Sequence, residues 1–96
     1  MLRQARILLT SQEGQGDKLA SLLKAIQEYS NSDKERGCLT YRVCRTENEF
    51  LVFEEYADAA AIQAHFETEG FKDLVNGVNT GKLVVGGPKI TYYAEI

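Results

Sequence analysis

Residues 38–56, CLTYRVCRTENEFLVFEEY, set two runs of alternating side chains on either side of a three-residue connection at 46–48. Period-two alternation belongs to strands with two distinct faces, and so short a connection makes the pair antiparallel. The spacing puts Leu39, Tyr41, Val43, Val52, Glu54 and Tyr56 on one side of the pair. Cys38, Thr40, Arg42, Cys44, Leu51, Phe53 and Glu55 fall on the other. Both sides are partly apolar, so water suits neither. A helical layer against one face and a second sheet against the other would cover both.

The flanking sequence supplies the helices. Residues 4–11, QARILLTS, read as a first strand, and "EGQGD" as a turn into a helix. Leu19, Leu22, Leu23, Ile26 and Tyr29 then recur at the three- and four-residue spacing of an amphipathic helix over 17–30. Residues 31–37, NSDKERG, read as a polar loop. Behind the central hairpin, Asp58 is placed to N-cap an alanine-rich helix. Phe71, Leu74, Val75 and Val78 continue a helical pattern that breaks near Gly70 and closes on Gly81 as a left-handed C-cap. After the looser stretch KLVVGGP (82–88), a lid or an arm onto a partner, KITYYAEI alternates again as the last strand. The order β-α-β-β-α-β predicts an α+β, ferredoxin-like antiparallel sheet with helices on one face. Residues 1–96 form one domain on this reading. A chain this short buries only about two thirds of its unfolded surface, which favours a homodimer.

Composition narrows the partners. Forty-four per cent hydrophobic and 26% charged residues are those of a globular chain. The net charge is −3, with lysines and arginines scattered singly, so nucleic acid is not expected. No apolar run approaches the roughly 20 residues of a membrane span. The opening MLRQARILLTSQEG is too short in its apolar part for a signal peptide and reads as strand, with a cytoplasmic location expected. Cys38 and Cys44, six residues apart in one strand, would lie roughly 20 Å apart, which excludes a disulfide between them. They read as two small buried hydrophobes. One histidine without a neighbouring ligand makes no metal site, and no nucleotide or flavin motif is present.

Three short motifs carry a resemblance: Gly37-Cys38-Leu39-x-Tyr41, Phe53-Glu54-Glu55-Tyr56-Ala57-Asp58, and Ala61-Ile62-Gln63-Ala64-His65 with Phe71 six residues on. Residues 37–74 resemble the antibiotic biosynthesis monooxygenase domain family, small dimeric α+β barrels that include quinol and anthrone monooxygenases. The resemblance implies a cofactor-independent monooxygenase acting on a quinol, an anthrone or a similar polyphenolic compound with O₂. Departures from the family accompany it. The haem-degrading branch uses a strand-one Asn, a helix-two Trp and a following His. This chain has no Trp, no Asn in strand one, and Val75 in place of that His. Gly70 stands where many relatives carry a second His, and Tyr56 where a Trp is conventional.

Oxygenation without a cofactor needs an electron-rich substrate, a general base, donors for the anionic oxygen and a dry aromatic pocket. His65, in YADAAAIQAHFETEGF (56–71), is the candidate base, since imidazole titrates near neutrality. Packing alone is its other reading. Glu54 shares the face of Val52 and Tyr56 and is expected to tune His65, to act as base itself, or to form a structural pair. Tyr41, Tyr56, Phe66, Phe71 and Tyr92 are the candidate substrate-binding aromatics, with Tyr92 expected inside on the side of Ile90. Glu55 is expected to pair on the opposite face with Arg42 of this chain or of a partner. Two other function classes stay open on the same scaffold: a non-catalytic dimeric small-molecule-binding module, and a cofactor-free isomerase, cyclase or decarboxylase.

Overall fold

The computed structural model describes residues 3–96; Met1 and Leu2, which open the stretch read as strand rather than leader, lie outside the described residues. The elements follow the expected order: β1 (Gln4–Thr10), α1 (Gly16–Ser30), a 3₁₀ turn (Asp33–Glu35), β2 (Cys38–Thr46), β3 (Glu49–Tyr56), α2 (Ala59–Phe66), α3 (Glu69–Asn79) and β4 (Lys89–Tyr93). All strand pairs are antiparallel, in the order β2-β3-β1-β4. This is the ferredoxin-like arrangement, with helices packed on one face.

The alternation fixes which face is inside. Ala5 and Leu9 of β1, Tyr41 of β2, and Phe50, Val52, Glu54 and Tyr56 of β3 are buried beneath the helices. Leu19, Leu23 and Ile26 of α1 close over them, and each fully buried aliphatic side chain contributes about 1.5–3 kcal/mol. Two residues join this core from a stretch without periodicity. Leu83 and Val84 are buried, Val84 bridging to Ser11 while Val85 N donates to Thr10 O at 2.7 Å. Leu83 and Val84 are therefore part of the core's edge, tied with Val85 to the end of β1, while residues 86–88 are exposed.

Three local expectations are corrected. A register shift between Cys38 and Thr40 leaves Leu39 without a partner, so Cys38 turns inward and Leu39 outward, 54% exposed. Cys44 is exposed rather than a buried hydrophobe. The helical break falls at residues 67–68, where Thr68 Oγ1 accepts from Phe71 N and caps α3. Gly70 lies inside the first turn of α3, and its missing side chain lets α1 approach. A β-carbon there would stand 2.8 Å from Ile26 Cγ1. Asp58 does cap α2, accepting from Ala61 N at 2.8 Å, and Gly81 has φ +70 after α3.

The outer edge of β2 is closed by side-chain amides of α1 and the residue that follows it. Asn31 Nδ2 donates to Tyr41 O at 2.9 Å, and Tyr41 N donates back to Asn31 Oδ1 at 3.0 Å. Val43 N donates to Gln27 Oε1 at 2.7 Å. These amides stand in for a neighbouring strand, and they blunt an edge that would otherwise invite pairing. Asn31→Ala removes two of the bonds and is expected to cost about 1–2 kcal/mol. Urea unfolding should show this as a lower midpoint at unchanged slope.

Candidate active site

His65 is delivered to the core by a short helix with small residues on its inner side. Ala61 and His65, one turn apart, are the buried residues of α2. Ala61 rests on Gly37, where any β-carbon would overlap Ala61's own. The close approach lays α2 against the end of the 3₁₀ turn and brings His65 onto Glu35.

The result is a chain of buried polar groups. Glu35 is 6% exposed, Glu54 5% and His65 1%. His65 Nδ1 lies 2.8 Å from Glu35 Oε2. Glu35's other oxygen, Oε1, accepts from Ser30 Oγ at 2.8 Å. On the far side of the ring, His65 Nε2 lies 3.9 Å from Glu54 Oε1, too far for a hydrogen bond. Glu54 Oε1 accepts from the Tyr56 hydroxyl. Among the described residues, no lysine or arginine pairs with either carboxylate.

Aromatic rings wall the imidazole. Ring centroids of Tyr56, Phe71 and Tyr41 stand 5.4, 5.5 and 5.6 Å from it, and that of Phe66 6.5 Å. Phe66 and Phe71, both half-buried, pack on each other in a tilted pair, centroids 4.9 Å apart. Sequence spacing thus named five residues that the fold brings around His65: Glu54, Tyr41, Tyr56, Phe66 and Phe71.

Burial and charge set the chemistry of these groups. Burial raises the Glu54 carboxyl above its ordinary value; the Tyr56 hydrogen bond and His65 pull it down, and Glu35 pushes it up. Burial, then the Glu54 charge, raises both the Tyr41 and Tyr56 phenols, so both stay protonated donors. Burial, then Glu35 and Glu54, pushes the Cys38 thiol up to about 12. A thiol so held is no nucleophile near neutral pH.

Two expectations do not hold at this site. Tyr92 lies in register with Ala5 on the helix side of the sheet, yet it is 46% exposed. Its strand is an edge that no helix covers, so alternation chose the right face without burying it. The described cavities lie away from His65. A furrow of about 710 Å³ runs along β2, and a groove of about 270 Å³ lies between α1 and α3. No cavity described is lined by His65, Glu54 or Tyr56. On the outer face, Glu55 accepts from Gln4 Nε2 at 2.9 Å rather than pairing with Arg42 of the same chain. Glu35 is the residue that sequence spacing missed.

The molecule is thus a ferredoxin-like α+β protein whose polar centre is an imidazole between two buried carboxylates in an aromatic cage. The family model described as antibiotic biosynthesis monooxygenase matches residues 5–77, and the chain belongs to that family. Among solved structures it is similar to PA3566 from Pseudomonas aeruginosa, at 25% identity, covering 100% of this chain and 96% of that one, with a TM-score of 0.84. Rv0793 from Mycobacterium tuberculosis is similar at 18% identity, the same coverage of each chain, and a TM-score of 0.84. An antibiotic biosynthesis monooxygenase matches at 22% identity, covering 100% and 99%, with a TM-score of 0.83. No functionally curated protein matches the sequence. No helix among the described residues is long and apolar enough to cross a membrane.

Proposed function

We propose that the protein is a cofactor-independent monooxygenase of small, electron-rich aromatic compounds such as quinols or anthrones. The observation that carries this reading is His65 held between Glu35 and Glu54 inside the cage of Tyr41, Tyr56, Phe66 and Phe71. For an anthrone-type methylene, His65 removes a C–H proton and the carbanion passes one electron to O₂. The radical and superoxide combine into a peroxide, which takes up the proton. Loss of the second C–H proton with cleavage of the O–O bond then leaves a ketone and water. The substrate supplies every electron. The protonated phenols of Tyr41 and Tyr56 are available donors for the developing oxyanion, and Glu54 offsets the charge on the imidazolium.

Two carboxylates in the cage, with no lysine or arginine paired to either among the described residues, favour neutral, hydroxyl-bearing substrates over carboxylated or sulfated ones. Because His65 is enclosed, α2 and α3 must part for substrate to enter. That closed packing is also what favours the second reading, a dimeric module without turnover. We further infer one domain, a cytoplasmic location, and a homodimer joined through the uncovered sheet face. In register there, Leu8, Leu51 and Phe53 are 37, 36 and 38% exposed, and pairing two such sheets would dry them.

Oxygen uptake by metal-free protein over a panel of quinols and anthrones tests the oxygenase. Stoichiometric O₂ consumption with product formation supports it. Saturable binding without uptake moves the assignment to the binding module, and substrate loss without uptake to an isomerase, cyclase or decarboxylase.

A further inference from the structure

We propose that Glu35, itself anchored by Ser30, is the positioning residue that holds His65 as its Nδ1–H tautomer and so leaves Nε2 as the base. The consequence for turnover rests on the oxygenase reading; the tautomer does not. Glu35 comes from a polar stretch with no helical or strand periodicity, and its side chain is nonetheless buried with both oxygens engaged.

The proton's place follows from the partners. A carboxylate only accepts, so the 2.8 Å contact to Nδ1 is satisfied when that nitrogen carries the hydrogen. Ser30 Oγ donates to the second oxygen, which stops the carboxylate from turning away. On the other side, Glu54 Oε1 is 3.9 Å from Nε2 and already accepts from Tyr56. A hydrogen on Nε2 would therefore lack a partner at bonding distance, whereas a lone pair there costs little. The same carboxylate stabilises the imidazolium once Nε2 has taken a proton. In catalytic histidines generally, the hydrogen bond at one ring nitrogen decides what the other can do. Glu35 touches no substrate on this account and acts only through His65.

The chain has one histidine, so the ring can be read without assignment. Protein labelled with ¹⁵N in both imidazole nitrogens, at a pH where the ring is neutral, should give a protonated Nδ1 and an unprotonated Nε2. Glu35→Leu, of similar bulk and without an acceptor, should move the hydrogen to Nε2. Glu35→Gln restores an acceptor and should restore the Nδ1–H tautomer at least in part. On an oxygenase substrate, Glu35→Leu should lower kcat by about 10²-fold or more at little-changed KM, the loss expected for a misdirected base.

A wild-type spectrum with the hydrogen on Nε2 overturns the assignment, even if Glu35→Leu fails to fold. So does Glu35→Leu that keeps Nδ1–H, or that turns over within a few-fold of wild type. Absence of turnover in the wild type with the expected tautomer removes the oxygenase reading and the positioning role with it, and leaves the proton assignment standing.

Discussion

His65→Ala is expected to cut turnover by about 10²–10⁴-fold, the usual contribution of a general base. It is also expected to lower stability by about 3–5 kcal/mol, the combined cost of leaving a buried carboxylate without its donor and of the cavity the ring vacates. The two effects have separate causes. Turnover falls because both phenols are held protonated and the Glu54 oxygen nearest the ring already accepts from Tyr56, which leaves Nε2 as the unengaged lone pair at the centre of the cage. Stability falls because Glu35 Oε2 loses its partner in a site that water does not reach, and because the ring leaves a hole beside Tyr41, Tyr56 and Phe71.

A second variant separates the two. In His65→Asn the side-chain amide stands near the place of Nδ1 and can still donate to Glu35, but it accepts no proton as a base. His65→Asn should therefore recover part of the lost stability in a thermal melt and none of the turnover. Turnover within a few-fold of wild type in either variant would reduce His65 to a packing residue. The closed packing around Nε2 would then be its resting condition, and the binding module the better description.

How much of this was visible in the chain follows from where each signal resides. Tyr41, Glu54 and Tyr56 were placed on one face because strand alternation is local and the hairpin is short. The register obeys it, pairing Tyr41 with Glu54 and Val43 with Val52. The bulge that turns Cys38 in and Leu39 out breaks the same alternation, and nothing in Cys-Leu-Thr announces it. Tyr92 kept its face but not its burial, since an edge strand is covered only by what packs from elsewhere. Thr68 carried a helix-start signal, with Glu69 behind it, that the more conspicuous Gly70 overshadowed. Glu35 had no local signal. It meets His65 thirty positions away, through a contact between Gly37 and Ala61 that exists only once α2 has docked. A polar loop and a catalytic cradle have the same composition, and only tertiary packing distinguishes them.

Glu54→Gln is expected to stabilise the protein at neutral pH and to lose that advantage in acid. Burial holds the Glu54 carboxyl above its ordinary value of 4.5 in the folded chain, against the opposing pull of Tyr56 and His65. The native state therefore binds this proton more tightly than the unfolded chain does. Below the ordinary value both states are protonated, and the folded carboxyl sits in place as a neutral group. As pH rises through that value towards the raised one, the unfolded chain releases the proton first, and native stability declines. Above the raised value the full cost of a buried carboxylate is felt. Glutamine keeps the shape and can still accept from the Tyr56 hydroxyl, so it removes the charge without emptying the space. Replacing buried charge by a neutral group of similar volume commonly stabilises by up to about 1–4 kcal/mol, and the gain should appear at pH 7 and vanish towards pH 4. The groups that face Glu54 are His65, Glu35, Tyr56, Tyr41 and Cys38, and of these the two phenols and the thiol are held protonated by burial. Repeating the comparison in the His65→Asn background removes the imidazole from it. Urea midpoints measured across that range would show the crossover if Glu54 is its source. Parallel curves for wild type and Glu54→Gln would mean that the carboxylate is stabilised in place, with Tyr56 and His65 outweighing its burial.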